Sequence, residues 1–267
     1  MTHSVYIITG ANKGFGRCIA FNICKKIHEP LQLILVGRDN NSLQSVKHDI
    51  EQQNYSHIKS IDIISHPHIL DNAETTSQFL LPALDTLISP ISAEINNITL
   101  INNAGSTGDL SKKVGEYNLG NIQQYIDLNI TSYITLNSGV LQLYSGKWKN
   151  ENNPLTLVNI SSLLAIQSFP NWGLYATGKA ARDMLMSVIS KEHKSDVRTL
   201  SYSPGPLDNE MQKSVRETLG DSEQAVLFTD MANKGNLVNM DDSVLKLIKL
   251  LQENTYSSGA HIDYYDV

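Results

Sequence analysis

Tyr175 and Lys179 stand four residues apart in NWGLYATGKAARDML (171–185), a stretch whose spacing predicts one helix over about 173–194. Residues at i and i+4 share a helix face. A phenol ionises near pH 10 in water, so alone it is a poor acid–base catalyst near neutral pH. A neighbouring ammonium stabilises the phenolate and brings that value down. The same lysine can hydrogen-bond a nicotinamide ribose. Ser162 lies 13 residues before Tyr175, in NISS, where its hydroxyl can share a carbonyl oxygen with the phenol. Asn129 falls inside a second predicted helix (119–142), a place that disfavours asparagine unless it has a task. Holding a water that relays protons to Lys179 is one such task.

A second group of residues suits a phosphate. ITGANKGFGR (8–17) follows a predicted strand and opens a predicted helix, with Gly10, Gly14 and Gly16 in a TGxxxGxG pattern. Gly10 permits the tight turn, and Gly14 and Gly16 let the backbone and the helix N-terminus approach a pyrophosphate. The end of the next strand reads LVGRD. Gly37 stands where a site for NAD would place an acid on the ribose 2′-OH, and Arg38 follows it. A guanidinium there suits a 2′-phosphate, and Lys13 adds a second positive charge, so the cofactor expected is NADPH. Asp39 is placed to offset Arg38. INNAG (101–105) ends a further strand, where small residues can lie against a ribose and the central sheet.

The elements that must position these residues alternate regularly. Apolar runs predict strands at 4–9, 31–37, 58–64, 97–102, 155–161 and 197–203, and a last segment at 259–266. Helices are expected at 14–28, 41–53, 70–90, 119–142, 173–194 and 241–253. Such alternation implies right-handed crossovers and a doubly wound parallel sheet of the α/β class, about seven strands covered on both faces. Nearly continuous Ile, Leu and Val in the strands agrees with burial on both sides. The chain has 267 residues, 41% hydrophobic and 18% charged, and is read as one domain. Residues 204–240, polar and rich in Gly, Asp and Lys, are expected to be irregular, a flap over the carboxyl ends of the strands. The helix at 173–194 is apolar over more than one stripe, which predicts a partner on the side away from the sheet. A net charge of -6 with no basic run argues against a nucleic-acid partner. Cys18 and Cys24 are read as reduced thiols, and no apolar run is long enough for a membrane span, so a cytoplasmic protein is expected.

In this order and on these elements, TGxxxGxG, NNAG, Ser162 and YxxxK resemble the short-chain dehydrogenase/reductase family over essentially the whole chain. The resemblance implies a Rossmann-like fold with Ser162, Tyr175, Lys179 and Asn129 as the catalytic set. It implies hydride transfer to a carbonyl carbon while Tyr175 protonates the oxygen. It places the cofactor against Gly10, Asn12, Lys13, Gly14, Phe15, Gly16, Arg38, Asn103, Ala104, Gly105, Tyr175, Lys179, Pro204, Gly205 and Leu207. The adenine contact on the third strand falls to Asp62 or Ile63.

SYSPGPLDNEMQKSVRETLGD (201–221) and YSSGAHIDYYDV (256–267) are further similar to the sepiapterin reductase branch of that family. What that implies is NADPH-dependent reduction of side-chain carbonyls on a pterin, in tetrahydrobiopterin biosynthesis, by a homodimer. Asp263 would anchor the pterin, since one carboxylate can accept from both its 2-amino and N3–H groups. Ser162, Leu163, Tyr175 and Met211 would complete the substrate site. The glycine loop carries Asn12-Lys13 where a Ser-Arg pair is expected of this branch. A general dicarbonyl reductase on the same scaffold is the alternative, and a non-catalytic NADP-sensing module is a third reading. His66 and His68 flank Pro67 without further evident ligands, so no metal is expected.

Overall fold

The computed structural model describes residues 2–144, 155–194 and 196–267. Seven strands form one sheet in the order β3-β2-β1-β4-β5-β6-β7, every neighbouring pair parallel. They are β1 (His3–Thr9), β2 (Leu31–Gly37), β3 (Ile58–Ser65), β4 (Ile95–Asn102), β5 (Leu155–Ile160), β6 (Val197–Ser203) and β7 (Ala260–Asp263). The order reverses between β1 and β4, and such a switch point opens a crevice at the carboxyl ends of the strands.

Alternate residues of each strand feed two cores. Tyr6, Ile8, Leu33 and Leu35 pack with α1 (Gly14–Lys26), α2 (Asn40–Glu51) and the far helix α10 (Met240–Glu253). Val5, Ile7, Ile34 and Val36 face the other layer. That layer holds α3 (Ala73–Thr75), α4 (Leu81–Ile88), α5 (Leu119–Ile126), α6 (Ser132–Tyr144) and α7 (Gly173–Glu192). Strands buried on both faces need the unbroken apolar runs that the sequence shows.

Two expected helices are less regular than their patterns suggested. The one at 70–90 consists of α3, a π turn (Thr76–Leu80), α4 and a 3-10 turn (Ser89–Glu94). The one at 119–142 is α5 and α6 joined by a second π turn (Asp127–Thr131), with Asn129 at its middle. The expectation of an irregular 204–240 is corrected. It contains α8 (Glu210–Thr218) and α9 (Ser222–Asn233), capped by the side chains of Asn209 and Asp221.

α7 turns Lys179, Arg182, Met186 and Ile189 inward. Met184 is 64% exposed and Val188 39%, so one apolar stripe of the helix stays open. No helix of the described residues is long and apolar enough to cross a membrane.

Candidate active site

The turn after β1 is shaped for a phosphate. Gly10 and Gly14 adopt φ values of +66° and +54°, which side chains resist. A Cβ on Gly14 would meet nothing within 4 Å, whereas one on Gly16 would collide with the Gly10 carbonyl and the Asn103 amide. Gly14 therefore keeps the ligand side open, and the need at Gly16 is internal packing rather than approach to a pyrophosphate. α2, α5, α8, α9 and α10 begin at a side-chain cap, whereas α1, like α4 and α7, has none, its N-cap being Lys13. Its first N–H groups thus lack a side-chain acceptor, the arrangement that receives a phosphate.

NNAG is braced from β1. The Thr9 hydroxyl accepts from the Asn103 and Ala104 N–H groups, both at 3.0 Å. The Asn103 amide donates to the carbonyls of Thr9 and Gly10. Asn103 therefore ties the two loops together, and Phe15, also expected at the cofactor, buries its ring in the core. Arg38 is exposed, with Nη1 3.5 Å from Asp71 Oδ1. Asp39 turns its carboxylate to the start of α2, accepting from the N–H groups of Asn41 and Ser42 and the Ser42 hydroxyl. Those bonds hold its carboxyl below the usual range.

The two residues expected at the adenine, Asp62 and Ile63, both lie within β3. Asp62 accepts from Gln32 Nε2 at 2.8 Å and the Ser60 hydroxyl at 2.7 Å. Asp62 and Ile63 pair with Ile34 and Leu35 inside the sheet, short of the strand's carboxyl edge.

Tyr175 and Lys179 share a face of α7, as their spacing requires, and Ser162 is brought to them just past β5. The Ser162 hydroxyl, hydrogen-bonded to Tyr175, lowers its pKa, as does the Arg182 guanidinium, but burial outweighs both and the net direction is upward. Lys179 is not among the groups that lower it, contrary to expectation. Its Nζ donates to the Ile160 carbonyl at 2.6 Å and lies 5.5 Å from the Tyr175 ring centroid. Burial, then the Arg182 charge, pull the Lys179 ammonium down to about 7, against the opposing pull of Asp183. The small residues between Tyr175 and Lys179 have a packing reason, since a Cβ on Gly178 would collide with the Tyr125 hydroxyl.

Asn129 is buried, and both ends of its amide have partners. Its Oδ1 accepts from the Ser106 N–H at 3.0 Å, and its Nδ2 donates to the Tyr125 carbonyl at 3.1 Å. Its own carbonyl accepts from Arg182 Nε at 2.6 Å.

The residues expected at the substrate lie in or beside the segments after β5, β6 and β7. Leu163 (42% exposed) and Met211 (47%) present open apolar surface. Pro204 and Gly205 follow β6 in a turn held by Val238, which bridges Leu207 in parallel. Trp172, unremarked in the sequence, joins the flap to Tyr175. Its ring is 5.4 Å from that of Tyr175, and its Nε1 donates to Gln224 of α9 at 3.1 Å. Asp263 stands at the end of β7, opposite Ser203, whose hydroxyl donates to Oδ2 at 2.6 Å. Oδ1 accepts from the Tyr265 N–H at 3.1 Å.

Residues 4–220 match the family model described as short chain dehydrogenase. The sepiapterin reductase of Rattus norvegicus is 39% identical over 268 residues, covering 99% of this chain and 97% of its own. The benzil reductase ((S)-benzoin forming) of Bacillus subtilis is 31% identical and covers 94% of each. A short chain dehydrogenase from Shigella flexneri, solved in complex with NADP, superposes with a TM-score of 0.76 at 22% identity, over 99% of this chain and 98% of that one. That last likeness concerns the fold. A sheet of this order, a family match over most of the chain and relatives alike along nearly its full length lead to one conclusion: the chain belongs to the short-chain dehydrogenase/reductase family of oxidoreductases.

Proposed function

We propose that the protein uses NADPH to reduce side-chain carbonyls of a pterin, such as sepiapterin or 6-pyruvoyl-tetrahydropterin, toward tetrahydrobiopterin or a stereoisomer. The observation that carries this reading is Asp263, a carboxylate set at the carboxyl edge of the sheet beside Ser203. The carboxylate accepts from the Ser203 hydroxyl and from the backbone N–H groups of Tyr265 and Asp266. Of its roughly four lone-pair sites one is left for a pterin N–H, and release of the Ser203 hydroxyl would free a second for the paired group. The sepiapterin reductase relatives support the substrate class, and Arg38 with Lys13 supports a 2′-phosphate.

When bound, the dihydronicotinamide supplies the hydride. Tyr175 gives its phenolic proton to the carbonyl oxygen, and Ser162 hydrogen-bonds the same oxygen. Lys179, fixed at the end of β5 through Ile160, is the neighbouring group able to exchange a proton near neutral pH. Trp172 packs on the Tyr175 ring and is held by Gln224 of α9, so the flap covers one side of the phenol. The subunit is one domain, and the open stripe of Met184 and Val188 is the surface for a second copy in a cytoplasmic homodimer.

A second reading has its own support. Both Asp263 oxygens already accept protein hydrogen bonds, and Leu163 and Ile166 leave the mouth apolar. A general dicarbonyl reductase, to which the benzil reductase relative corresponds, would need no carboxylate anchor. NADPH oxidation with sepiapterin, for wild type and Asp263→Asn side by side, separates the two. Loss of most of kcat/KM in the variant, at unchanged Tm, supports the pterin anchor. Equal, poor turnover of sepiapterin by both, with diketones reduced, would leave the general reductase.

A further inference from the structure

Arg182 is a buried cation that the mechanism above does not use. It is 3% exposed, and among the described residues no carboxylate lies within ion-pair range of it. A desolvated charge is costly unless paired, and an apolar residue of like volume usually serves a fold as well or better. Arg182 therefore calls for a reason other than stability.

Its contacts supply one. Nε donates to the Asn129 carbonyl at 2.6 Å, and Nη1 donates to the Ala104 carbonyl at 3.0 Å. The guanidinium carbon sits 4.6 Å from the centre of the Tyr133 ring. A Cβ on Gly105 would lie 3.0 Å from Asn129 Oδ1 and 3.5 Å from Arg182 Nη1, so the group packs on bare main chain. On its own helix Arg182 is i+3 from Lys179 and i+7 from Tyr175, on their face. One fork of donors thus reaches the NNAG loop, the π turn and the helix of the acid–base pair.

We propose that Arg182 is a positioning residue for carbonyl reduction, its guanidinium fixing the Ala104 loop and the Asn129 turn relative to the helix that carries Tyr175 and Lys179. The inference rests on the oxidoreductase reading but not on the pterin. The charge also bears on the pair, since it lowers the pKa of both Lys179 and Tyr175. The other ionisable groups that act on this pair or on Arg182 are Asp183 on α7, Tyr125 on α5 and Tyr133 on α6.

The test compares Arg182→Met and Arg182→Lys with wild type, using NADPH with sepiapterin and with a simple diketone. Arg182→Met is expected to lose about 10²-fold in kcat on either substrate, as misplaced reacting groups do, with a smaller change in KM for NADPH. Its alkaline activity limb should move to higher pH, because the guanidinium no longer favours the phenolate. Arg182→Lys should restore the limb but not all of kcat, since an ammonium lacks the rigid fork. Unchanged kcat and limb in Arg182→Met overturn the proposal. So does a kcat loss that merely tracks a lowered Tm with the limb unmoved. Should Arg182→Met fail to fold, Arg182→Lys decides: reduced kcat at wild-type Tm supports the role, and full kcat overturns it. Activity of wild type on the diketone alone would remove the pterin and leave the Arg182 comparison intact.

Discussion

His261 Nδ1 lies 2.6 Å from Asp183 Oδ2, joining the last strand to the helix of Tyr175 across 78 residues of sequence. The other oxygen of Asp183 accepts from the Ser161 hydroxyl at 2.6 Å and the Asn159 amide at 2.8 Å. One carboxylate therefore ties together the chain beside Ser162, the chain beside Asp263 and the middle of α7. The bond to Asp183 raises the His261 pKa above its ordinary value, against a smaller opposing effect of burial.

A raised histidine pKa fixes the sign of a stability effect. The contribution is complete below about pH 6.5, the unfolded value, and is lost as pH rises through the higher folded value. His261→Gln should lower Tm more at pH 6 than at pH 9, read by circular dichroism. A gap that does not change with pH would count against the ion pair. Asp183→Ala strands three donors at once and should cost about 3 kcal/mol or more at pH 7.

Tyr175→Phe should reduce kcat by at least ~100-fold with NADPH affinity largely kept, the ordinary worth of a general acid. Near-normal kcat would remove Tyr175 from that role. Ser162→Ala takes away a bond that lowers the Tyr175 pKa. As reduction needs the protonated phenol, the alkaline limb of its pH–rate profile should shift upward.

Lys179 carries the opposite linkage. Its folded pKa of about 7 lies below its ordinary 10.5, so between these values the unfolded chain binds the extra proton and stability grows with pH. Lys179→Met should therefore be more stable than wild type near pH 6, with an advantage that shrinks toward pH 10, while activity falls. Chemical denaturation at the two pH values measures this, and an equal advantage at both would contradict the depressed pKa.

Arg38→Ala should weaken NADPH by roughly 10-fold or more and leave NADH nearly unaffected, as the loss of a charge-assisted phosphate contact implies. Asp71 competes for the same guanidinium at 3.5 Å. Asp71→Asn should accordingly tighten NADPH and not NADH. Parallel changes in both cofactors, by fluorescence titration, would take Arg38 away from the 2′-phosphate.

Legibility followed the range of the interactions. β1 and β2 were readable because burial on both faces demands nearly unbroken apolar runs, and α7 because its length and spacing are regular. The π turns were hidden, as one added residue barely disturbs an apolar stripe. α8 was missed because its surface is largely polar, and α9 because its apolar residues Val226 and Leu227 face outward and form no buried stripe. Yet Asn209 with Gln212, and Asp221 with Gln224, were readable start signals. Tyr175, Lys179 and Ser162 could be found from spacing. Arg182 and His261 could not, since their partners lie far along the chain.

The π turn at Asp127–Thr131 also bears on how this chain can change over generations. Such turns absorb one added residue within a helix, so deleting a single residue there would restore a regular helix with the flanking turns on the faces they now hold. The loss would be local: Asn129, whose carbonyl meets Arg182, would no longer stand out from the helical ladder. The buried face of α6 would stay on the sheet. At this site a single deletion can therefore remove the contact to Arg182 without unseating the fold, whereas changes of length in the loop before Asn118 leave both intact.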